Sequence, residues 1–159
     1  MVFIEGDHEH YIRYHNRIVE TVESCLPVEV VSSIDEMACR LTGSQQDVKT
    51  AEAMSVKIKA AIRNKVGSSL RCSIGVAPNR YLAKIAADMK KPDGFTVIRP
   101  CDLPAILFSL TLRDLSGVGP RMESRLNGRR IYDMRTLYAL SAKEMNQAWG
   151  SICGEEMWH

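Results

Sequence analysis

The 159 residues, 45% of them hydrophobic and 25% charged, are enough for one sizeable core, or for a domain of about 100 residues with a small satellite. The longest apolar run, Pro104-Ala105-Ile106-Leu107-Phe108, falls far short of the roughly 20 residues of a membrane span, and the acidic opening (Glu5, Asp7, Glu9) is not the positive leader of an export signal, so a cytoplasmic protein is expected. Net charge is only +2, but residues 1–56 carry ten acids against four Lys or Arg, whereas residues 57–91 carry nine Lys or Arg and one acid, Asp88; one half attracts cations and the other anions, which suits a phosphate chain bound together with divalent metals.

From the start, Tyr11, Tyr14, Ile18, Val22 and Cys25 recur at spacings of three, four, four and three, the mark of one face of a helix over 8–25 that Pro27 ends. His8 and His10, two apart, do not share a helix face and read as solvated residues at the helix start rather than metal ligands. Val28 to Ile34 is β-branched enough for a strand, and Met37 to Leu41 for a second. Together they predict a hairpin or bent strand with Asp35 and Glu36 near its apex. Neighbouring side chains on a regular strand point to opposite faces, so these two carboxylates share a ligand only if the backbone bends between Ile34 and Met37.

Val48, Ala51, Met54 or Ser55, Ile58 and Ile62 predict a helix over 47–65, with Lys57, Lys59, Arg63 and Lys65 on its wet face. Leu70 to Ala77 reads as a strand, and Gly75 within it suggests close approach of a backbone or ligand. Pro78 breaks the strand, and Asn79 caps a helix running through Met89, with Arg80, Lys84 and Asp88 on one side. Lys91-Pro92-Asp93-Gly94 is a turn and Phe95 to Ile98 a further strand. The alternation of helix and strand predicts an α+β sheet with its helices on one face.

Composition shifts near Arg99-Pro100, and the rest reads as helical. Leu112 to Leu126, with Leu115-Ser116-Gly117-Val118-Gly119-Pro120-Arg121 at its centre, has the pattern of a helix-hairpin-helix. With no side chains at Gly117 and Gly119, such a turn presents bare amides at a helix N-terminus, a combination that holds a phosphate oxygen. Arg113, Arg121, Arg125, Arg129, Arg130 and Arg135 against Asp114, Glu123 and Asp133 leave the stretch positive, which favours sequence-independent contact with a DNA backbone. The cysteines (Cys25, Cys39, Cys72, Cys101, Cys153) are scattered, odd in number and lack a Cys-x-x-Cys pair, so mostly buried, reduced thiols are expected rather than disulfides or zinc.

Three motifs carry a resemblance: Ser33-Ile34-Asp35-Glu36; Ser73 to Asp88 with Lys90-Lys91-Pro92-Asp93-Gly94; and Leu115 to Gly119. In this order and spacing they closely resemble the Y-family translesion DNA polymerases of the DNA polymerase IV type. The resemblance implies a partial ferredoxin-like palm over 1–100, with a mixed or antiparallel sheet, and a small all-α thumb over 101–159 whose helix-hairpin-helix grips duplex. Carried over, Asp35 and Glu36 are the catalytic, metal-binding carboxylates for Mg2+, with two ions in the complete enzyme. Lys84 reaches the triphosphate of a deoxynucleoside triphosphate, and Gly117, Val118, Gly119 and Arg121 contact primer-template DNA. A sliding clamp would be bound through a region outside this stretch.

The family's other metal carboxylate, its nucleotide-gripping tyrosine and arginine, and its fingers precede the region matched, so these residues alone are expected to be inactive and to leave Asp35 and Glu36 without metal. The family also continues Asp-Glu with Ala-Tyr-Leu-Asp where this chain reads Met37-Ala38-Cys39-Arg40. That departure motivates an alternative, a non-catalytic polymerase-like protein for DNA binding or mutasome assembly. A third reading, a repair-type helix-hairpin-helix joined to an unrelated α+β domain, leaves the middle motif unexplained.

Overall fold

The computed structural model describes residues 6–151 and 154, so Cys153 and Glu5 lie outside the described residues. The architecture is α+β, and the chain divides into two compact units, one of Met1–Ile74 with Lys90–Thr96 and the other of Gly75–Met89 with Val97–His159. No helix among the described residues is long and apolar enough to cross a membrane.

In the first unit, helix α1 (His8–Glu23) starts on Asp7, whose Oδ1 accepts from the His10 amide at 3.1 Å while Oδ2 meets His10 Nδ1 at 3.1 Å. The predicted stripe buries only in its second half. Ile18, Val22 and Cys25 pack inward, whereas Tyr11 is 62% and Tyr14 40% exposed. Strands β1 (Val28–Val31) and β2 (Met37–Cys39) form the expected antiparallel hairpin. Helix α2 (Val48–Lys65) is capped by Asp47 on the Thr50 amide at 3.0 Å and buries Ala51, Ser55, Ile58 and Ile62, leaving Val48 exposed. Val22, Leu26, Ile58 and Ile62 form the core of this unit, with Val28, Met37, Cys39 and Cys72 packed against it.

One expectation for α2 is corrected. Lys57 and Lys65 are exposed as predicted, but Lys59 is only 9% exposed. Its ammonium donates to the carbonyls of Asp93 (2.5 Å) and Gly94 (2.9 Å), and the Asp93 carboxylate lies 3.6 Å from both Lys59 Nζ and Arg63 Nη1. A long lysine stem can run through apolar surroundings when its head finds partners, and the Lys91-Pro92-Asp93-Gly94 turn supplies them. Periodicity reports which way a side chain leaves its helix and says nothing about a turn arriving over it from 34 residues away in sequence.

The single sheet expected is two two-stranded sheets, β1 with β2 and β3 (Ile74–Val76) with β4 (Phe95–Val97). Ile74 N–H donates to Gly94 O at 3.0 Å and Ile98 N–H to Val76 O at 2.8 Å; these bonds advance in the same sense along both strands, the parallel pattern, with helix α3 (Arg80–Met89) as the crossover. Gly75 permits that packing, since a Cβ there would collide with the Ala83 carbonyl, the Ala87 amide and the Ala86 methyl of α3.

The second unit has short 3₁₀ turns at Pro100–Asp102, Leu107–Ser109 and Leu112–Asp114, then α4 (Pro120–Asn127), α5 (Met134–Tyr138) and α6 (Ala142–Trp149). Its core holds Leu112, Leu115, Val118, Leu126, Met145 and Trp149 around Ile85 of α3. Through Ile85, α3 belongs with the C-terminal residues, so the grouping runs across the 1–100 and 101–159 division read from composition. Cys25, Cys39 and Cys72 are half-buried free thiols, with burial pushing Cys39 and Cys72 up, and Cys101 is exposed.

Replacing Lys59 with Met leaves the carbonyls of Asp93 and Gly94 without their donor and takes one of two nearby cations from the Asp93 carboxylate, and the expected loss is about 2–3 kcal/mol. Lys57→Met, on the exposed side, should change stability by less than about 0.5 kcal/mol. Urea unfolding of the two variants checks this, and equal midpoints would remove the latch.

Candidate functional site

The acidic pair sits where the hairpin turns. Ser32 and Ser33 amides both donate to the Glu36 carbonyl, at 2.9 and 3.2 Å, closing a tight loop over Ser33, Ile34 and Asp35. The backbone thus bends where two adjacent carboxylates require it. Ser33 Oγ donates to Asp35 Oδ1 at 2.7 Å and accepts from the Asp35 amide at 3.4 Å. On the far side, His15 Nδ1 lies 2.8 Å from the Ile34 carbonyl. Asp35 is exposed and Glu36 half-buried.

Carboxylate oxygens are the hard donors that Mg2+ takes, so the chemistry of the pair fits that ion. Among the described residues no group of three or more His, Cys, Asp and Glu could hold a metal, so Asp35 and Glu36 can supply part of a coordination shell and the remaining ligands must come from elsewhere. Met37 and Cys39 point into the core of the unit, and Arg40 donates through Nε and Nη2 to Glu29 Oε1 at 2.9 and 2.5 Å. Glu29 is the extra residue of an irregularity between Val28 and Val30. Met37 and Cys39 therefore serve packing, and Arg40 a cross-strand ion pair.

Lys84 belongs to the second unit. Asn79 Oδ1 caps its helix by accepting from the Leu82 amide at 2.8 Å, and Lys84 Nζ lies 3.3 Å from Asp88 Oδ2 one turn on, both side chains about one-third exposed at 32% and 35%. The same helix reaches the Gly-x-Gly turn. Tyr81 Oη donates to the Ser116 carbonyl at 3.2 Å, and Tyr81, Leu82 and Ile85 share the core with Leu112, Leu115 and Val118. Within this unit, then, the middle and last motifs form one structure. Periodicity gave no sign of the tie, because Tyr81 falls on the helix side next to the predicted functional residues.

At the turn, Gly117 has φ +90°, a value that favours glycine. Gly119 precedes α4 with φ −87°, and Pro120 follows at the first helical position. A Cβ at Gly119 would have nothing within 4 Å. Val118 is only 5% exposed and its amide donates to Leu115 O at 3.0 Å, so it anchors the turn while Gly119 and Arg121 are exposed at the helix start, where backbone amides lack intrahelical partners. Arg121, Arg129 and Arg130 are exposed. Arg125 is occupied internally, donating to Trp149 O at 2.5 Å, and Arg135 lies 4.5 Å over the Phe108 ring.

Residues 1–88 match the impB/mucB/samB family. The chain belongs to that family. Both the Ser33 to Glu36 and the Ser73 to Asp88 motifs lie within the matched residues. A DNA polymerase IV of Pelotomaculum thermopropionicum is 36% identical over 151 residues, covering 95% of this chain and 37% of the relative, and one of Moorella thermoacetica is 32% identical over the same share of each. The chain thus spans well under half the length of these relatives. Among solved structures, a DinB-family error-prone DNA polymerase from Sulfolobus solfataricus aligns with TM-score 0.84 and 28% identity, over 99% of this chain and 46% of that one. An insertion ternary complex of Dbh DNA polymerase aligns with TM-score 0.82 and 27% identity, over 99% and 47%. The resemblance to Y-family DNA polymerases read from the motifs is therefore shown at the level of the whole chain.

Burial pushes the Tyr81 phenol up to about 12. In the unfolded chain a phenol ionises near pH 10, so the neutral Tyr81 contributes stability that is present below that pH and lost as pH rises toward its folded value. Thermal unfolding between pH 9 and 12 should fall more steeply for the native chain than for Tyr81→Phe; parallel profiles would show that burial does not hold the phenol neutral.

Proposed function

We propose that this chain is part of a template-directed DNA polymerase of the translesion type, with residues 1–100 as the later part of a ferredoxin-like palm and 101–159 as a thumb built on a helix-hairpin-helix. The observation that carries the reading is the bend at Ser32 to Glu36, which places two hard-oxygen donors at one apex; the family match and the polymerase relatives support it. Asp35 and Glu36 would hold Mg2+, which supplies activation of a primer hydroxyl and neutralises charge on departing pyrophosphate. Lys84, carried on a rigid helix, would exchange its partner Asp88 for an oxygen of the incoming triphosphate and offset the charge developing there. The backbone amides at Gly119 and Arg121, the positive end of α4 and the exposed Arg121 side chain would hold a phosphate of the primer-template duplex without reading its sequence. A sliding clamp would be met through other parts of the complete protein.

A polymerase-like protein without catalysis was motivated by Met37 to Arg40. Met37 and Cys39 pack against the core and Arg40 pairs with Glu29, which gives these three departures a structural role of their own. The catalytic reading is therefore preferred.

Two experiments test this. In the complete protein, Asp35→Ala should lower primer extension by about 100-fold or more with the folded structure retained; undiminished extension would refute the assignment. For the thumb, Gly119→Ala should leave unfolding unchanged, because the position is open and its φ is ordinary. It should weaken duplex binding roughly tenfold, equally for any sequence and with the steep salt dependence of phosphate contact. Unchanged affinity would remove the phosphate cradle.

A further inference from the structure

The peptide unit between Ile34 and Asp35 is held at both of its polar atoms. Its carbonyl faces His15 Nδ1 at 2.8 Å, and its N–H donates to Ser33 Oγ at 3.4 Å. A carbonyl can only accept, so Nδ1 carries the proton and the imidazole donates whether neutral or charged. Gripping a peptide plane on two sides fixes ψ of Ile34 and φ of Asp35, the two torsions that aim the Asp35 side chain. Ser33 Oγ then donates to Asp35 Oδ1 at 2.7 Å and fixes the carboxylate's own rotation.

The mount for this grip is rigid. His15 lies in the middle of α1, half-buried, 19 residues from its acceptor. Two residues on, Arg17 Nη2 donates to the Lys65 carbonyl at 2.5 Å, tying α1 to the end of α2, and Val22 is buried further along the same helix. Helix α1 therefore cannot slide or rotate without breaking the contact to α2, and it delivers that constraint to the hairpin apex through one imidazole. The exposed loop has little apolar surface of its own to hold it, with Val31 46% and Ile34 50% exposed. A hydrogen bond from a packed helix substitutes for a core at this point.

We propose that His15 is a positioning residue for Asp35: by donating to the Ile34 carbonyl it fixes the hairpin apex so that the Asp35 carboxylate is presented in one orientation. The catalytic part of this inference rests on the polymerase reading; the structural part does not. Neither the sequence periodicity nor the family motifs single out His15, which falls between the helix residues used to predict α1.

The test uses three variants: His15→Ala, which removes the donor; His15→Asn, whose side-chain amide can replace it; and Asn16→Ala, an exposed neighbour, as control. Amide hydrogen exchange on the 159-residue chain should show Ser32 and Ser33 exchanging about tenfold faster in His15→Ala, with His15→Asn and Asn16→Ala near native rates. In the complete protein, His15→Ala should lower kcat for nucleotide addition about tenfold with KM for the nucleotide within about twofold, and His15→Asn should restore most of the loss. Native exchange rates in His15→Ala would overturn the grip. Faster exchange with unchanged kcat would overturn the positioning role and leave a structural bond. If Asp35→Ala itself leaves kcat unchanged, the polymerase reading fails instead, and the exchange result stands on its own.

Discussion

Two adjacent carboxylates can act on one ion only where the chain turns, and everything in the first unit bears on that turn. On a straight strand, Asp35 and Glu36 would face opposite sides of the sheet. The amides of Ser32 and Ser33 both close on the Glu36 carbonyl instead, and the strands leading in and out are anchored by Val28, Met37 and Cys39 against α1 and α2. Helix packing supplies the free energy, since a two-stranded hairpin is marginal by itself in water. The serines and His15 convert that packing into a defined direction for one carboxylate.

A second constraint organises the other unit. Gly75 lets α3 approach β3 at backbone distance, and α3 in turn carries Lys84 outward while Tyr81, Leu82 and Ile85 face the core shared with the Gly-x-Gly turn. The helix that carries Lys84 and the turn that opens α4 are thereby built on one core. Each motif, taken alone as a local pattern, would be a weak signal. Their common dependence on Tyr81 and Ile85 gives the two motifs one structural purpose.

What the sequence made legible follows the range of the physics. Local rules succeeded: Pro27 and the spacing of Ile18, Val22 and Cys25 for α1, the Asn79 cap for α3, the bend demanded by Asp35 and Glu36, and the close approach at Gly75. Readings that depend on distant partners came out differently. Lys59 looked like a wet-face lysine and is buried beneath the Asp93 turn; Tyr11 and Tyr14 looked like core and are exposed; and one sheet became two. The charge asymmetry was real in composition, yet part of the basic strip is committed within the fold, with Lys59 and Arg63 both 3.6 Å from the Asp93 carboxylate. For the acidic pair, the sequence revealed the carboxylates and the need for a bend, and not the imidazole that holds it.

The central claim, that the bent apex presents Asp35 and Glu36 to a divalent ion, is tested most directly by locating Mn2+ from its anomalous scattering in crystals of the complete protein with primer-template DNA and a non-hydrolysable nucleotide. The account predicts an ion within about 2.0–2.3 Å of an Asp35 carboxylate oxygen, with Glu36 in the same shell or one water removed. An ion bound at this site by other residues, with both carboxylates turned away from it, would contradict the account.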